Sequence, residues 1–324
     1  MNDINYPSIK EQLIERRGLL EEAISSNNGN GNLNKLLNEV DAALNEMAEG
    51  IYGICKVCDE PIETDRLLAD PLLTLCLPHL TEMQQRALES DLETAGKIQR
   101  ALLPEKEIKT DDWEFAHHYR PAGIVSGDFC DLIPAEDGSY IFVLGDVSGK
   151  GVSASLMMSN LHALIHTLQS FNLPLNEIME RANRLFCESI LPGSFATMVL
   201  GKVVPDGTLE ISVAGHNPPF VFRDGVVTSI SATGIPVGLF CTAQYETKRL
   251  SFSTNDFLFL YTDGLSEASV NHTEYGAKRI QKHLEGLTGL SSIEIITNVM
   301  LQHQIFLGKN KPEDDVTVAA IRKI

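Results

Sequence analysis

The sequence predicts an α+β protein, a layered domain of antiparallel sheets with helices packed on them, preceded by a small helical module. Three observations lead to this class. First, residues 105–324 carry short β-type runs at Trp113–Tyr119, Tyr140–Leu144, Thr197–Val204, Leu209–Val213, Phe257–Tyr261 and Val316–Ile321. Second, several of these runs are consecutive and joined by the hairpin chemistry of Asp206-Gly207 and Asp224-Gly225, which favours antiparallel pairing. Third, helical stretches at 152–169, 174–190, 276–287 and 291–306 lie between them and need a sheet face to cover.

The elements follow in order. Residues 8–24 read as a charged helix, and the SSNNGNGN stretch after it (25–32) holds neither helix nor strand. Residues 33–49 place Leu36, Leu37, Val40, Leu44 and Met47 at helical spacing, which makes a helical hairpin with the first segment. A cysteine segment runs from Gly53 to about Leu80. A further helix runs from Thr81 to Leu103 and stops at Pro104. Its Leu88, Leu92, Ala95, Ile98 and Leu102 form a near-heptad stripe that suits either packing on its own domain or a dimerising, signal-carrying linker. The expected divisions are therefore 1–80, 81–104 and 105–324, with no internal repeat.

A length of 324 residues favours two domains, and 43% hydrophobic with 22% charged residues is a globular balance. Asp and Glu outnumber Lys and Arg by 44 to 26, and a net charge of −18 argues against nucleic acid or an anionic membrane as partner. No stretch approaches the ~20 apolar residues of a membrane span. The N-terminus lacks the pattern of a signal peptide, so the expected location is the cytoplasm. Of six cysteines, Cys130, Cys187 and Cys241 are scattered and read as small core residues.

The other three are not scattered. The pattern Cys55-x2-Cys58-x17-Cys76-x2-His79 gives two ligand pairs at the spacing of a closed tetrahedral site, and thiolates favour zinc. The expectation is one structural Zn2+ that supplies folding energy to a loop too small for its own core. Incidental thiols and a redox switch are the competing readings. The segment resembles the TraR/DksA zinc finger through Tyr52-Gly53-Ile54-Cys55-Lys56-Val57-Cys58, Ile62, Arg66-Leu67-Leu68-Ala69-Asp70-Pro71 and Cys76, with His79 where that family has a fourth cysteine. Members of that family reach into RNA polymerase with an acidic tip. Residues 25–32 are Asn-Gly rich and lack acids, which favours a sensor or dimerisation role here.

Four motifs in the second half place an aspartate at the edge of an apolar run: Ser126-Gly127-Asp128-Phe129, Gly145-Asp146-Val147-Ser148-Gly149-Lys150-Gly151, Tyr261-Thr262-Asp263-Gly264 and Asp314-Asp315-Val316-Thr317. Several carboxylates facing one cleft repel one another unless cations lie between them, and oxygen-only ligands suit Mg2+ or Mn2+. Two such ions can bind a bridging hydroxide and a phosphate oxygen for in-line displacement at phosphorus. The Gly145–Gly151 stretch is not a Walker loop, because Gly151 follows Lys150.

The same motifs resemble, in order and spacing, the PPM-type (protein phosphatase 2C) serine/threonine phosphatases, in particular the SpoIIE/RsbU branch. Ala101-Leu102-Leu103-Pro104, Arg120-Pro121, Phe129-Cys130-Asp131, Ala214-Gly215-His216-Asn217-Pro218-Pro219, Gly234-Ile235-Pro236-Val237-Gly238 and Leu265-Ser266-Glu267-Ala268 extend the resemblance over about residues 90–324. It implies a PPM-type layered β-sandwich flanked by helices, with two Mn2+ or Mg2+ in the cleft. It implies that Asp146 bridges both ions, the Val147 carbonyl binds one, Asp128 holds the second, and Asp263 and Asp314 complete the first. Catalysis would rest on Asp128 and Asp146, with Asp315, Asp131 and Lys150 as lesser candidates. The implied reaction is direct attack by a metal-bound hydroxide on a phosphoserine or phosphothreonine of a protein partner, a small anti-sigma-factor antagonist. The helix at 81–103 would act as a switch in a homodimer. The rival reading is a zinc-finger transcription regulator that binds RNA polymerase and carries a non-catalytic scaffold domain. An enzyme would need Mn2+ or Mg2+, whereas the binder would need only zinc.

Overall fold

The computed structural model describes residues 6–26, 31–80 and 82–324. The centre of the Asn-Gly tip (27–30) and the start of the linker helix at Thr81 lie outside the described residues. The chain divides into two compact units, Met1–Asp91 and Leu92–Ile324.

In the first unit, α1 (Tyr6–Ser26) and α2 (Gly31–Glu49) pack together. Ile9, Leu13, Leu20, Val40 and Ala43 form their shared core, and Leu36, Leu37, Leu44 and Met47 are partly buried against it. Arg17 Nε reaches Asp41 Oδ1 across the pair at 3.1 Å. The same core continues through Tyr52, Cys55, Ile62, Leu67 and Cys76 into the cysteine segment, which adds α3 (Thr64–Ala69) and a 3-10 turn at Leu77–His79. The hairpin and the cysteine segment are therefore one folding unit. Next, α4 (Glu82–Ala101) spans the division, so the expected linker is not a separate body: residues 92–101 belong to the second unit.

The second unit continues with β1 (Glu107–Lys109), β2 (Trp113–Arg120), β3 (Asp128–Pro134), β4 (Tyr140–Val147), α5 (Gly151–Gln169) and α6 (Leu175–Ser189). Then come β5 (Ala196–Val203), β6 (Thr208–Ala214), β7 (Phe220–Arg223), β8 (Val226–Ser229), β9 (Lys248–Ser251) and β10 (Phe257–Tyr261). It ends with α7 (Asp263–Ser266), β11 (Ser269–Val270), β12 (Thr273–Glu274), α8 (Ala277–Leu284), α9 (Ser292–Leu307) and β13 (Val316–Lys323). One sheet has the order β1-β2-β13-β10-β7-β8, the other β3-β4-β5-β6-β9, and all neighbours are antiparallel. Both Asp-Gly dipeptides form the expected connections. Asp224 and Gly225 have φ of 50° and 79°, a mirror-image turn that matches strand twist.

Three apolar layers fix the architecture. Trp113, Phe115, Phe142, Leu144, Val213, Leu258 and Ile321 lie between the two sheets. The outer face of the five-stranded sheet packs on α5 and α6 through Ile141, Val143, Met158, Ile165, Ile178 and Phe186. The outer face of the six-stranded sheet packs on α8 and α9 through Phe257, Phe259, Ile280, Leu284, Ile295 and Val299. The result is helix, sheet, sheet, helix. The expectation that the scattered cysteines are all core residues fails for two of them. Cys187 on α6 is disulfide-bonded to Cys241, which is exposed, and of these three cysteines Cys130 alone is a buried free thiol. Their separation of 54 residues carries no spacing signature that a sequence could reveal.

Candidate active site

Strand pairing brings the four aspartate motifs to one end of the sandwich. β3 and β4 set Asp128 opposite Asp146. In the other sheet, β10 stops at Tyr261 just before Asp263, and Asp314 and Asp315 lead into β13, its direct neighbour. Two hydroxyls join the sheets here. Thr262 Oγ1 and Thr317 Oγ1 both donate to Asp128 Oδ2, at 2.8 and 2.6 Å. The two threonines also bond each other through Thr317 N–H to Thr262 Oγ1 and Thr262 N–H to the Thr317 carbonyl, each 3.0 Å. Two glycines permit the approach. A Cβ on Gly264 would lie 2.0 Å from the Asp315 carbonyl oxygen, and one on Gly127 would lie 2.8 Å from the Val147 carbonyl oxygen and 3.5 Å from Asp146 Oδ1.

The electrostatics are those of uncompensated negative charge. Burial and the Asp146 charge push the Asp128 carboxyl well above the usual range, against the two threonine hydrogen bonds. Burial, then the charges of Asp263, Asp314 and Asp315, push Asp146 up to about 7. Burial and Asp314 likewise raise Asp263. Lys150 Nζ lies 2.8 Å from Asp314 Oδ2 and is held protonated by it. The aspartates are coupled but not converged. Among the described residues only two other groups bring three or more His, Cys, Asp or Glu donors within 4.8 Å of one another. Carboxylate and carbonyl oxygens are the donor set that hard divalent cations fit.

Asp146, Asp263, Asp314 and the Val147 carbonyl thus lie around one end, with Asp128 behind Asp146. Asp315 does a different job. Its two oxygens accept the N–H groups of Ala122 (2.7 Å) and Gly127 (3.0 Å), pinning the loop that leads to Asp128. Asp131 is corrected outright as a candidate of this cleft. Strand alternation turns it to the opposite face of β3, where Oδ2 meets His162 and His166 of α5. His216 orders a loop. Burial lowers it to about 4, so it is neutral; Nε2 donates to the Tyr261 carbonyl (3.1 Å) and Nδ1 accepts from Thr197 Oγ1 (2.7 Å).

Sequence reasoning assigned no role to Thr262, Thr317 or Gln99. Gln99 projects from α4 and grips the backbone of Ser126 at both ends, Nε2 donating to its carbonyl (2.6 Å) and Oε1 accepting its N–H (2.9 Å). Ser126 Oγ in turn accepts the Asp128 N–H at 3.0 Å. A Cβ on Gly96 would lie 2.6 Å from the Ile124 carbonyl oxygen, so α4 runs directly against this loop.

In the first unit Cys55, Cys58, Cys76 and His79 hold their donor atoms within 4.8 Å of one another. Cys76 Sγ lies 3.1 Å from His79 Nδ1, and Cys58 Sγ lies 3.7 Å from Cys76 Sγ. Burial would raise the Cys55 thiol, but backbone N–H groups of the knuckles outweigh it and hold it at about 6. Burial and the two neighbouring sulfurs push Cys76 up to about 11. Three thiolates cannot coexist there without a cation. The Glu63 carboxylate accepts the Leu77 N–H (3.0 Å), and Arg66 bridges Glu63 (3.0 Å) to the Leu75 carbonyl (3.1 Å), which fixes the second knuckle.

Both units resemble known proteins. Residues 50–78 match the prokaryotic dksA/traR C4-type zinc finger, so a zinc finger is present, with His79 one residue beyond the match. The chain is 24% identical over 245 residues to phosphoserine phosphatase RsbU of Bacillus subtilis, covering 74% of this chain and 72% of that protein. It is 25% identical over 265 residues to protein IcfG of Synechocystis, covering 71% of this chain but only 41% of the relative. The SiaA-PP2C domain of Pseudomonas aeruginosa superposes with a TM-score of 0.63 at 21% identity, covering 75% of this chain and 99% of that one, which shows the PP2C fold. Residues 136–323, more than half of the sequence and including Asp146, Asp263 and Asp314, match Stage II sporulation protein E (SpoIIE), and the chain belongs to the SpoIIE family.

Proposed function

We propose that the protein is a cytoplasmic, metal-dependent serine/threonine phosphatase that dephosphorylates a signalling partner, a small anti-sigma-factor antagonist. The observation that carries this reading is the aspartate cluster drawn from both sheets, with Asp146 pushed up to about 7 by burial and then by its acidic neighbours. The printed activity of RsbU, a phosphoserine phosphatase, supports the substrate class. Asp146, Asp263, Asp314 and the Val147 carbonyl would hold two Mn2+ or Mg2+, with Asp128 serving the second. Such ions, when bound, supply Lewis acidity for in-line displacement at phosphorus. The chain's own residues do the rest. Thr262 and Thr317 hold the Asp128 carboxylate in place. Asp315 and Gln99 fix the loop on which it sits. Lys150, with a side chain 65% exposed, offers a positive charge at the rim to an arriving phosphate.

The finger would take one structural Zn2+ through Cys55, Cys58, Cys76 and His79, and α4 would carry its state to the Asp128 loop. Ile98, 62% exposed on α4, is where a homodimer contact through that helix would fall. The test is phosphate release from a phosphoserine peptide by the full chain after metal stripping. Release restored by Mn2+ and absent without it is the expected result. A chain that stays silent with Mn2+ while its finger is zinc-loaded and folded would remove the phosphatase reading.

A further inference from the structure

We propose that Asp131, His162 and His166 form a separate site for a divalent transition-metal ion, Zn2+ by its donor set, which clamps α5 to β3. The cluster lies on the helix-facing side of the five-stranded sheet, away from the aspartates between the sheets. Asp128 and Asp131 are three residues apart on one strand, so their side chains leave opposite faces. His162 and His166 are four apart on α5 and share one helix face. Both Nε2 atoms converge on a single oxygen, Asp131 Oδ2, with the His162 atom at 3.0 Å. All three donor atoms lie within 4.8 Å of one another.

The carboxylate is aimed before any ion arrives, because Asp131 Oδ1 accepts the Leu132 N–H at 2.7 Å. Phe129 packs edge-on against the His162 ring and floors the cluster with apolar surface. Asp131 and His162 are buried, while the His166 side chain is 43% exposed. An ion can therefore enter from solvent beside His166, and water can fill the remaining position. Two imidazoles and one carboxylate suit Zn2+ and its neighbours in the transition series and suit Mg2+ poorly. α5 begins at Gly151, directly after the Asp146 loop, and an ion tying it to β3 would brace that loop from behind.

The test counts zinc on the full chain, dialysed at buffered micromolar free Zn2+ with excess Mg2+ so that the aspartate cleft is not available to zinc. Wild type, His166→Ala, Cys58→Ser and the double variant are compared. His166 is exposed on a helix, so His166→Ala should fold, and its circular dichroism melt in chelator checks this. The expected result is a loss of about one zinc equivalent in His166→Ala that adds to the loss in Cys58→Ser, because the two sites share no ligand. Thiol alkylation should release the finger's zinc and leave the histidine-dependent equivalent bound. Equal zinc content in wild type and His166→Ala would overturn the proposal and leave a plain hydrogen-bonded Asp-His cluster.

Discussion

Asp146 sits where burial and three like charges meet, and its proton affinity is the most direct physical mark of the cleft. A carboxyl that keeps its proton up to about 7 has to release it when a cation binds. Mn2+ affinity of the metal-stripped protein should therefore rise about tenfold between about pH 6 and about pH 8, with proton release largest at the lower value. Calorimetry in buffers of different ionisation heat reads both quantities, and equal affinity at the two pH values would show that no carboxyl of the cleft gives up a proton to Mn2+ in this range. At this scale the sequence reveals the anionic ligand candidates, because each flanks an apolar run. It does not reveal Thr262 and Thr317, whose hydroxyls meet Asp128 across 134 and 189 residues with no spacing to mark them. It also misplaces Asp131. Once Asp128–Pro134 is seen to be a strand, the odd separation from Asp128 puts the two side chains on opposite faces.

Among the elements, α4 has the most to transmit. Gln99 is 5% exposed and satisfies both polar groups of the Ser126 backbone, one residue before Gly127 and two before Asp128. Gln99→Ala leaves those groups buried and unpaired, at a cost of about 1–3 kcal/mol. The expected outcome is a lower melting temperature and a reduced Mn2+-dependent rate together. An unchanged rate at full Mn2+ occupancy would disconnect α4 from the site. The long strands and the long helices were readable from apolar runs and helical periodicity, but the short α3 and α7 were not. β1, β7, β8 and β9 have four residues or fewer, too short to show a period, and β3 is interrupted by Asp128 and Asp131. Besides its near-heptad stripe, α4 carries residues that meet the catalytic-domain loop. Gly96 and Gln99 face the Asp128 loop, while Ile98 stays 62% exposed.

For the whole molecule, a four-layer sandwich supplies a rigid frame in which two sheets each deliver aspartates to one end, and a small finger depends on its ligands. None of the described helices is long and apolar enough to cross a membrane. Cys58→Ser should lower zinc content and strip amide-exchange protection from residues 50–80, since that segment has little core besides Tyr52, Ile62, Leu67 and the ligand cysteines themselves. Retained protection after zinc loss would mean that α1 and α2 alone hold the segment. Alternating runs and hairpin turns made antiparallel sheets covered by helices legible, whereas the pairing of two sheets between helices came from the family resemblance. The division inside α4 was not, because a continuous helix carries no punctuation there. The central claim is that Asp146 holds the cations on which phosphate release depends. Its most direct test follows free Mn2+ by electron paramagnetic resonance and phosphate release from a phosphoserine peptide in the same samples, for wild type and Asp146→Asn. The account predicts that bound Mn2+ and turnover fall together in the variant, with the rate down by about a thousandfold or more. Undiminished turnover in Asp146→Asn would contradict it.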